Sequence, residues 1–274
     1  MLVFPNAKIN LGLHILNKRE DGYHNLETIF YPIPLSDSLE MIVNPTSDTI
    51  QLRNFGIQVE GDTTSNLVAK AFKLIQKKFG IPGVKAALLK NIPTGAGLGG
   101  GSSDGAFALK LLNKLFSLDI PQQELENLAL ELGSDCPFFI SNQAVFAQGR
   151  GEIFSPVQMQ LKGFWFVLIK PEIHVSTAQA FSRVSRRGEI NPENLKQLVE
   201  AGVHHWKGEL TNDFEPSVFA FAPELAEIKE ALYSSGAIYA SMSGSGSSVY
   251  GIFNSPIHLK DQFKNCFYFE GFLN

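Results

Sequence analysis

The chain has few cysteines, no long apolar run and no excess of positive charge, and each shortage removes a class of protein. Cys136 and Cys266 are the only cysteines among 274 residues, and they form no CxxC pair. A disulfide framework or a cysteine-rich metal site is thereby disfavoured, and a reducing, cytoplasmic setting is expected. His174, His204, His205 and His258 show no HxxxH or comparable spacing, so no protein-bound zinc is expected. The longest strongly apolar run, 164–169, falls far short of the ~20 residues a membrane helix needs. Lys8 interrupts the first apolar stretch and no basic leader precedes it, which argues against a signal peptide. The balance of 23 Lys+Arg against 27 Asp+Glu gives a net charge of −4, the wrong sign for a general nucleic-acid binder.

Glycine is plentiful instead. Of 24 glycines, six fall between Gly95 and Gly105, and Gly244 and Gly246 sit in a second small-residue cluster. Glycine tolerates positive φ and lets a ligand reach the backbone, so these clusters mark places of close approach.

Around them the chain reads as mixed α and β in two unequal lobes. Ile9, Leu11, Leu13 and Ile15 alternate along a strand whose other face carries Lys8, Asn10, Gly12 and His14. Asp21-Gly22 signals a turn into a second strand over 26–31, and 39–43 and 49–52 read as short strands. A helix is expected from Asn66 to a stop at Gly80, then a strand over 84–89 and helices over 103–116 and 121–132. The segment 149–162 has little pattern and is the expected boundary between a domain of 1–152 and one of 153–274. Beyond it, strands are expected over 164–170, 237–242, 249–253 and 266–272, with helices over 176–184, 192–201 and 223–235.

Residues 93–105, PTGAGLGGGSSDG, lie between a strand and an amphipathic helix. Their glycines free consecutive N–H groups, the helix start adds unpaired N–H groups and a positive dipole end, and Ser102 and Ser103 add hydroxyls. A polyphosphate cradle is the expected reading; the alternative is a flexible linker or a tight strand-to-helix turn, and such a turn would need only one or two glycines. It is not a Walker A loop, because the chain contains no Gly-Lys pair. Gly95, Gly97 and Gly100 satisfy GxGxxG, but the helix is followed by another helix and not by the strand of a dinucleotide fold. No HRD or DFG element follows, so the protein-kinase reading fails as well.

Three further features are open on the residues alone. Asp135 follows a stop glycine in Gly-Ser-Asp-Cys-Pro and could aim a carboxylate into a site or cap the segment near Pro137. Lys8 could face solvent or join the polar face of its strand. Tyr23-His24 could be a hairpin aromatic beside a solvent histidine, or a recognition pair.

The motif at 93–105 resembles the central loop of the GHMP kinases, small-molecule kinases named for galactose, homoserine, mevalonate and phosphomevalonate. The similarity extends through PNAKINLGLHILNKREDGYHNLETIF at 5–30, ELGSDCPFF at 131–139, VSTAQAF at 175–181, LTNDFEP at 210–216 and SMSGSGSSVYGIF at 241–253. The opening block narrows it to the branch acting on a cytidine diphosphate-linked methylerythritol. The resemblance implies an α+β, two-lobed GHMP kinase fold. Its N-terminal lobe is ribosomal-protein-like, its C-terminal lobe is a ferredoxin-like α/β plait, and ATP and substrate occupy the cleft between. It implies ATP binding by Pro93, Thr94, Gly95, Ala96, Gly97, Leu98, Gly99, Gly100, Gly101, Ser102 and Ser103. Catalysis falls to Lys8 and Asp135, with the Lys8 ammonium keeping the Asp135 carboxylate ionised and offsetting charge on the transferring group. Substrate binding falls to Asn10, Tyr23, His24, Thr177, Phe181, Gly244 and Ser245. Tyr23 stacks on the cytosine, His24 bonds its edge, and Phe181 covers the other face.

Magnesium is expected to arrive with ATP, held by phosphates and water. Neither nucleic acid nor membrane is an expected partner, and a monomer or homodimer is. Asn66 and Lys90 are candidate adenine contacts. Gly105 and Cys136 depart from the family's usual alanine and valine; the first should weaken the loop helix slightly and the second could expose the site to thiol reagents. The competing readings are another GHMP kinase, of homoserine or mevalonate type, which has no use for a Tyr23-His24 base pocket, and a non-catalytic nucleotide- or RNA-binding module.

Overall fold

The computed structural model describes residues 1–58, 65–182 and 192–274. In chain order the first half comprises β1 (Leu2–Val3), β2 (Asn6–Lys18), β3 (His24–Ser36), β4 (Ser38–Asn44), β5 (Ile50–Gly56), α1 (Leu67–Phe79), β6 (Gly83–Lys90), α2 (Gly100–Leu115), α3 (Gln122–Leu132) and α4 (Phe138–Ser141). There follow β7 (Val145–Gln148), β8 (Ile153–Pro156), β9 (Trp165–Lys170), α5 (Thr177–Ser182), α6 (Pro192–Glu200), α7 (Glu215–Phe221), α8 (Pro223–Ser234), β10 (Tyr239–Met242), β11 (Val249–Phe253) and β12 (Phe267–Phe272). The chain divides into two compact units. One comprises Met1–Ala7, Leu35–Thr94 and Gly99–Gln143, and the other Lys8–Pro34, Gly95–Leu98 and Ala144–Asn274.

In the first unit a sheet of order β1-β4-β6-β5 carries helices packed through Phe72, Ile75, Leu109 and Leu112, all buried. The expected caps of α1 are in place: the Asn66 side chain accepts from the Val68 N–H at 2.8 Å, and Gly80 closes the helix at φ 65°. Asn66 is thus a cap, and nothing in its contacts marks it as an adenine ligand. Helix α2 begins at Gly100, three residues before the expected start at 103. Glycine's low helix propensity hides this turn in the sequence, while close packing sustains it. A Cβ on Gly105 would come 2.9 Å from Cβ of Leu67, so glycine there lets α1 approach α2 and is not the weak point expected.

The second unit contains two sheets, of order β2-β3-β7-β8 and β10-β11-β9-β12. In the latter every neighbouring pair is antiparallel. This is the strand order of a ferredoxin-like plait, whose first crossover contains α8. The second crossover, 254–266, is made of turns, bends and irregular chain, with no helix. Val167, Ile169, Leu225, Leu232, Met242 and Val249 share one core with Leu13 and Ile15 of β2. Burial on both faces of β2 replaces the one-sided pattern expected from its alternation: Lys8, Asn10 and His14 are buried like Ile9 and Leu11. The patternless stretch from 149 includes half of a β7–β8 hairpin, in register from Val145 against Pro156 to Gln148 against Ile153. Residues 183–184 of the helix expected over 176–184 lie outside the described residues.

Candidate active site

In the second unit, Lys8, Asn10, residues 95–98 of the glycine-rich loop and the 243–248 loop converge. The Lys8 ammonium donates to Asn10 Oδ1 at 2.6 Å and lies 4.7 Å from the Phe30 ring centroid. Lys8 is buried, so a solvated surface lysine is ruled out. Its backbone N–H donates to the Leu98 carbonyl at 3.0 Å, tying β2 to the loop. Asn10 is fixed in turn: Nδ2 donates to Thr28 Oγ1 at 3.0 Å and its backbone N–H to Ser243 Oγ at 3.2 Å. Ser243 Oγ donates to the Gly97 carbonyl at 2.8 Å, and Ser248 N–H reaches the Ala96 carbonyl at 3.4 Å. Gly97 takes φ 74°, and a Cβ there would collide with the Ser243 carbonyl oxygen. The two glycine clusters therefore meet. Asn212, buried in LTNDFEP, holds the second by donating to the carbonyls of Met242 at 2.8 Å and Gly244 at 2.9 Å. Thr177 and Ser245 lie within hydrogen-bonding distance at 3.3 Å.

The expected base-recognition residues are also gathered in this unit, in a different arrangement. His24 stacks on Phe181 with centroids 4.9 Å apart and planes 13° from parallel, and Phe214 meets Phe181 edge-on at 4.8 Å. The two rings expected to flank and bond a cytosine thus cover each other. Tyr23 is 58% exposed, and the Arg150 guanidinium lies 5.1 Å from its ring centroid. Arg150, paired with Glu152 at 3.5 Å, was not suggested by any local motif.

The first unit holds Asp135 and the start of α2. Asp135 is half-buried in the turn between α3 and α4. Beside it Cys136 is wholly buried, and burial pushes its thiol up to about 12, against a lowering hydrogen bond with Ser102. Sensitivity to thiol reagents is not what this environment produces, since neither access nor thiolate is available. The loop fits a polyphosphate: Gly95, Gly97 and Gly99 all take positive φ, and the first N–H groups of α2 have no partner within the helix. A Cβ on Gly101 would meet nothing within 4 Å, and Ser103 Oγ is buried with no hydrogen-bond partner among the described residues.

Lys90, a candidate adenine contact from the sequence, is instead 2% exposed and donates to Asp37 and, at 2.6 Å, to Asp104 Oδ2. Burial raises the Asp104 carboxyl to about 7 despite the attraction of Lys90. Asp37 is missed by sequence reasoning, because its partners lie more than fifty residues away.

Comparison with known proteins separates the branches of the superfamily. Residues 66–149 match the GHMP kinases N terminal domain and 188–268 the GHMP kinases C terminal domain. The 4-diphosphocytidyl-2-C-methyl-D-erythritol kinase of Bacteroides fragilis is 51% identical over 272 residues, 98% of each chain. That of Parabacteroides distasonis is 50% identical over the full length of both. A crystal structure of 4-(cytidine 5'-diphospho)-2C-methyl-D-erythritol kinase superposes with a TM-score of 0.82 at 31% identity, covering 100% of this chain and 99% of its own. A homoserine kinase from Cytophaga hutchinsonii shares the fold at TM-score 0.72 but only 16% identity, with 98% and 94% coverage. The chain belongs to the GHMP kinases and, among them, to the 4-diphosphocytidyl-2-C-methyl-D-erythritol kinase family.

Proposed function

We propose that this chain transfers the γ-phosphoryl group of ATP to the 2-hydroxyl of 4-diphosphocytidyl-2-C-methyl-D-erythritol, a step of the methylerythritol phosphate route to isoprenoid precursors. The observation that carries this reading is the 51% identity, over 98% of both chains, to a kinase named for that alcohol. The matches at 66–149 and 188–268 fall on either side of residue 152 and support a functional division there.

Residues 93–103 bind the nucleotide phosphates through backbone N–H groups and the hydroxyls of Ser102 and Ser103. Asp135 accepts the proton of the attacking hydroxyl as the new O–P bond forms and the bond to the ADP oxygen breaks. Lys8 offsets negative charge on the transferring group, with its ammonium aimed by Asn10. Magnesium supplies further neutralisation when bound, held by the nucleotide phosphates and water. Tyr23 stacks on the cytosine while His24 bonds its edge, which requires the His24–Phe181 stack to part. Asn10, Thr177, Gly244 and Ser245 contact the remainder of the alcohol. The protein acts in the cytoplasm on a small molecule, without nucleic acid or membrane, as a monomer or homodimer.

A panel of alcohols tests the proposal. Purified protein with ATP and magnesium should release ADP only when diphosphocytidyl-methylerythritol is added. ADP release with homoserine or mevalonate and none with that alcohol would assign another GHMP activity.

A further inference from the structure

We infer that Asp37 is a positioning residue for the nucleotide, acting through both stems of the glycine-rich loop. The inference rests on the nucleotide reading of that loop. Asp37 is fully buried between β3 and β4, far from residue 93 in sequence. One carboxylate oxygen accepts from the backbone N–H groups of Asn91, at 2.6 Å, and Ile92, at 2.8 Å. The other accepts from the Lys90 ammonium. The Asn91 side chain returns a bond to the Ser36 carbonyl at 3.0 Å. The chain entering the loop is therefore held residue by residue over 90–92.

The chain leaving the loop is held by the same cluster. Lys90 also donates to Asp104 Oδ2, on the second turn of α2. A Cβ on Gly100, the first residue of that helix, would come 2.8 Å from Ile92 Cγ2 and 3.4 Å from the Lys90 nitrogen. The helix start thus rests on the side chains of two entry-stem residues. Burying two carboxylates and an ammonium is costly, and well-packed apolar groups commonly stabilise a fold as well. What directional charged bonds add is a fixed distance and angle between stems, and phosphate-binding N–H groups tolerate little displacement.

Three measurements on Asp37→Asn test this: the ATP-induced shift in unfolding temperature without the alcohol, and the KM values for ATP and for the alcohol. The expected KM for ATP rises about tenfold with the alcohol's KM within about twofold, and the ATP-induced shift shrinks in step. An unchanged KM for ATP in the folded variant, or equal rises in both KM values, overturns the inference by making Asp37 purely structural. If Asp37→Asn does not fold, Asp104→Asn decides: it leaves Asp37 paired with Lys90 and should raise the KM for ATP about threefold with the same selectivity. No rise there overturns the inference. Wild-type protein without any ATP-induced shift would instead refute the nucleotide reading.

Discussion

Around residues 90–104 the backbone is fixed by ions, with Asp37 and Asp104 sharing the ammonium of Lys90. Around residues 242–246 the corresponding work falls mainly to neutral groups: the Asn212 amide on two carbonyls and the Ser243 hydroxyl on a third. A carboxylate enters there at Met242, whose N–H donates to Glu215, itself paired with Lys229 at 2.6 Å. Both loops use positive-φ glycines, so conformational freedom does not distinguish them. Their supports do. The ionic brace fixes geometry tightly but responds to pH; the amide brace is indifferent to it. The support of the 90–104 segment should therefore be the pH-sensitive one, and the amide support of the 242–246 loop the insensitive one.

The largest effects are expected from removing the two side chains proposed to act in the transfer, one from each unit. Asp135→Asn and Lys8→Met should each lower kcat by about a thousandfold while leaving the ATP-induced shift in unfolding temperature near that of the wild type. Steady-state assays coupled to ADP release check this, and near-normal turnover in both variants would remove the catalytic assignment. Next are the glycines. Gly97→Ala imposes a side chain at φ 74° against the Ser243 carbonyl and should cost about 2 kcal/mol or more of stability. Gly101→Ala has no such neighbour and should stay within about 0.5 kcal/mol by urea titration. Equal losses would mean that packing does not separate the two positions.

Asn212→Ala removes the amide donor from two buried carbonyls and should cost about 1–3 kcal/mol, with no change in the pH dependence of stability. Asp104 supplies the contrasting case. With its carboxyl raised to about 7 by burial, it is protonated in the folded chain where the unfolded chain, near 3.9, is already ionised. The folded state holds the extra proton between those values, so this stabilising contribution is present at low pH and is lost as pH rises through about 7. Asp104→Asn should flatten that fall, read from urea midpoints at about pH 5 and about pH 8. An unchanged slope would place the titrating group elsewhere. The smallest effect is expected at Cys136, where thiol reagents should leave activity unaltered because the side chain is buried and its thiol is raised to about 12.

What could be read in the sequence depended on whether the signal was local. Alternation reveals β2, and Asn66 and Gly80 bracket α1; the glycine-rich run at 93–105 marks a loop of positive-φ glycines leading into α2. Helix α2 extended three residues further back because packing against Ile92 and Leu67 overrode glycine's propensity. The β7–β8 hairpin escaped notice because Gly149 and Gly151 break its pattern into two four-residue pieces. Asp37 looked like any turn aspartate between two strands, and its role depends on partners distant in sequence. His24 and Phe181 are expected on either side of a bound base, and no spacing could tell that their rings stack directly on each other.

The destination of the phosphoryl group tests the proposed reaction most directly. Phosphorus NMR of a completed reaction with ATP, magnesium and diphosphocytidyl-methylerythritol should show ADP and one new phosphomonoester, coupled to the carbon bearing the 2-hydroxyl. Inorganic phosphate in place of that ester, or an ester at another hydroxyl, would contradict it.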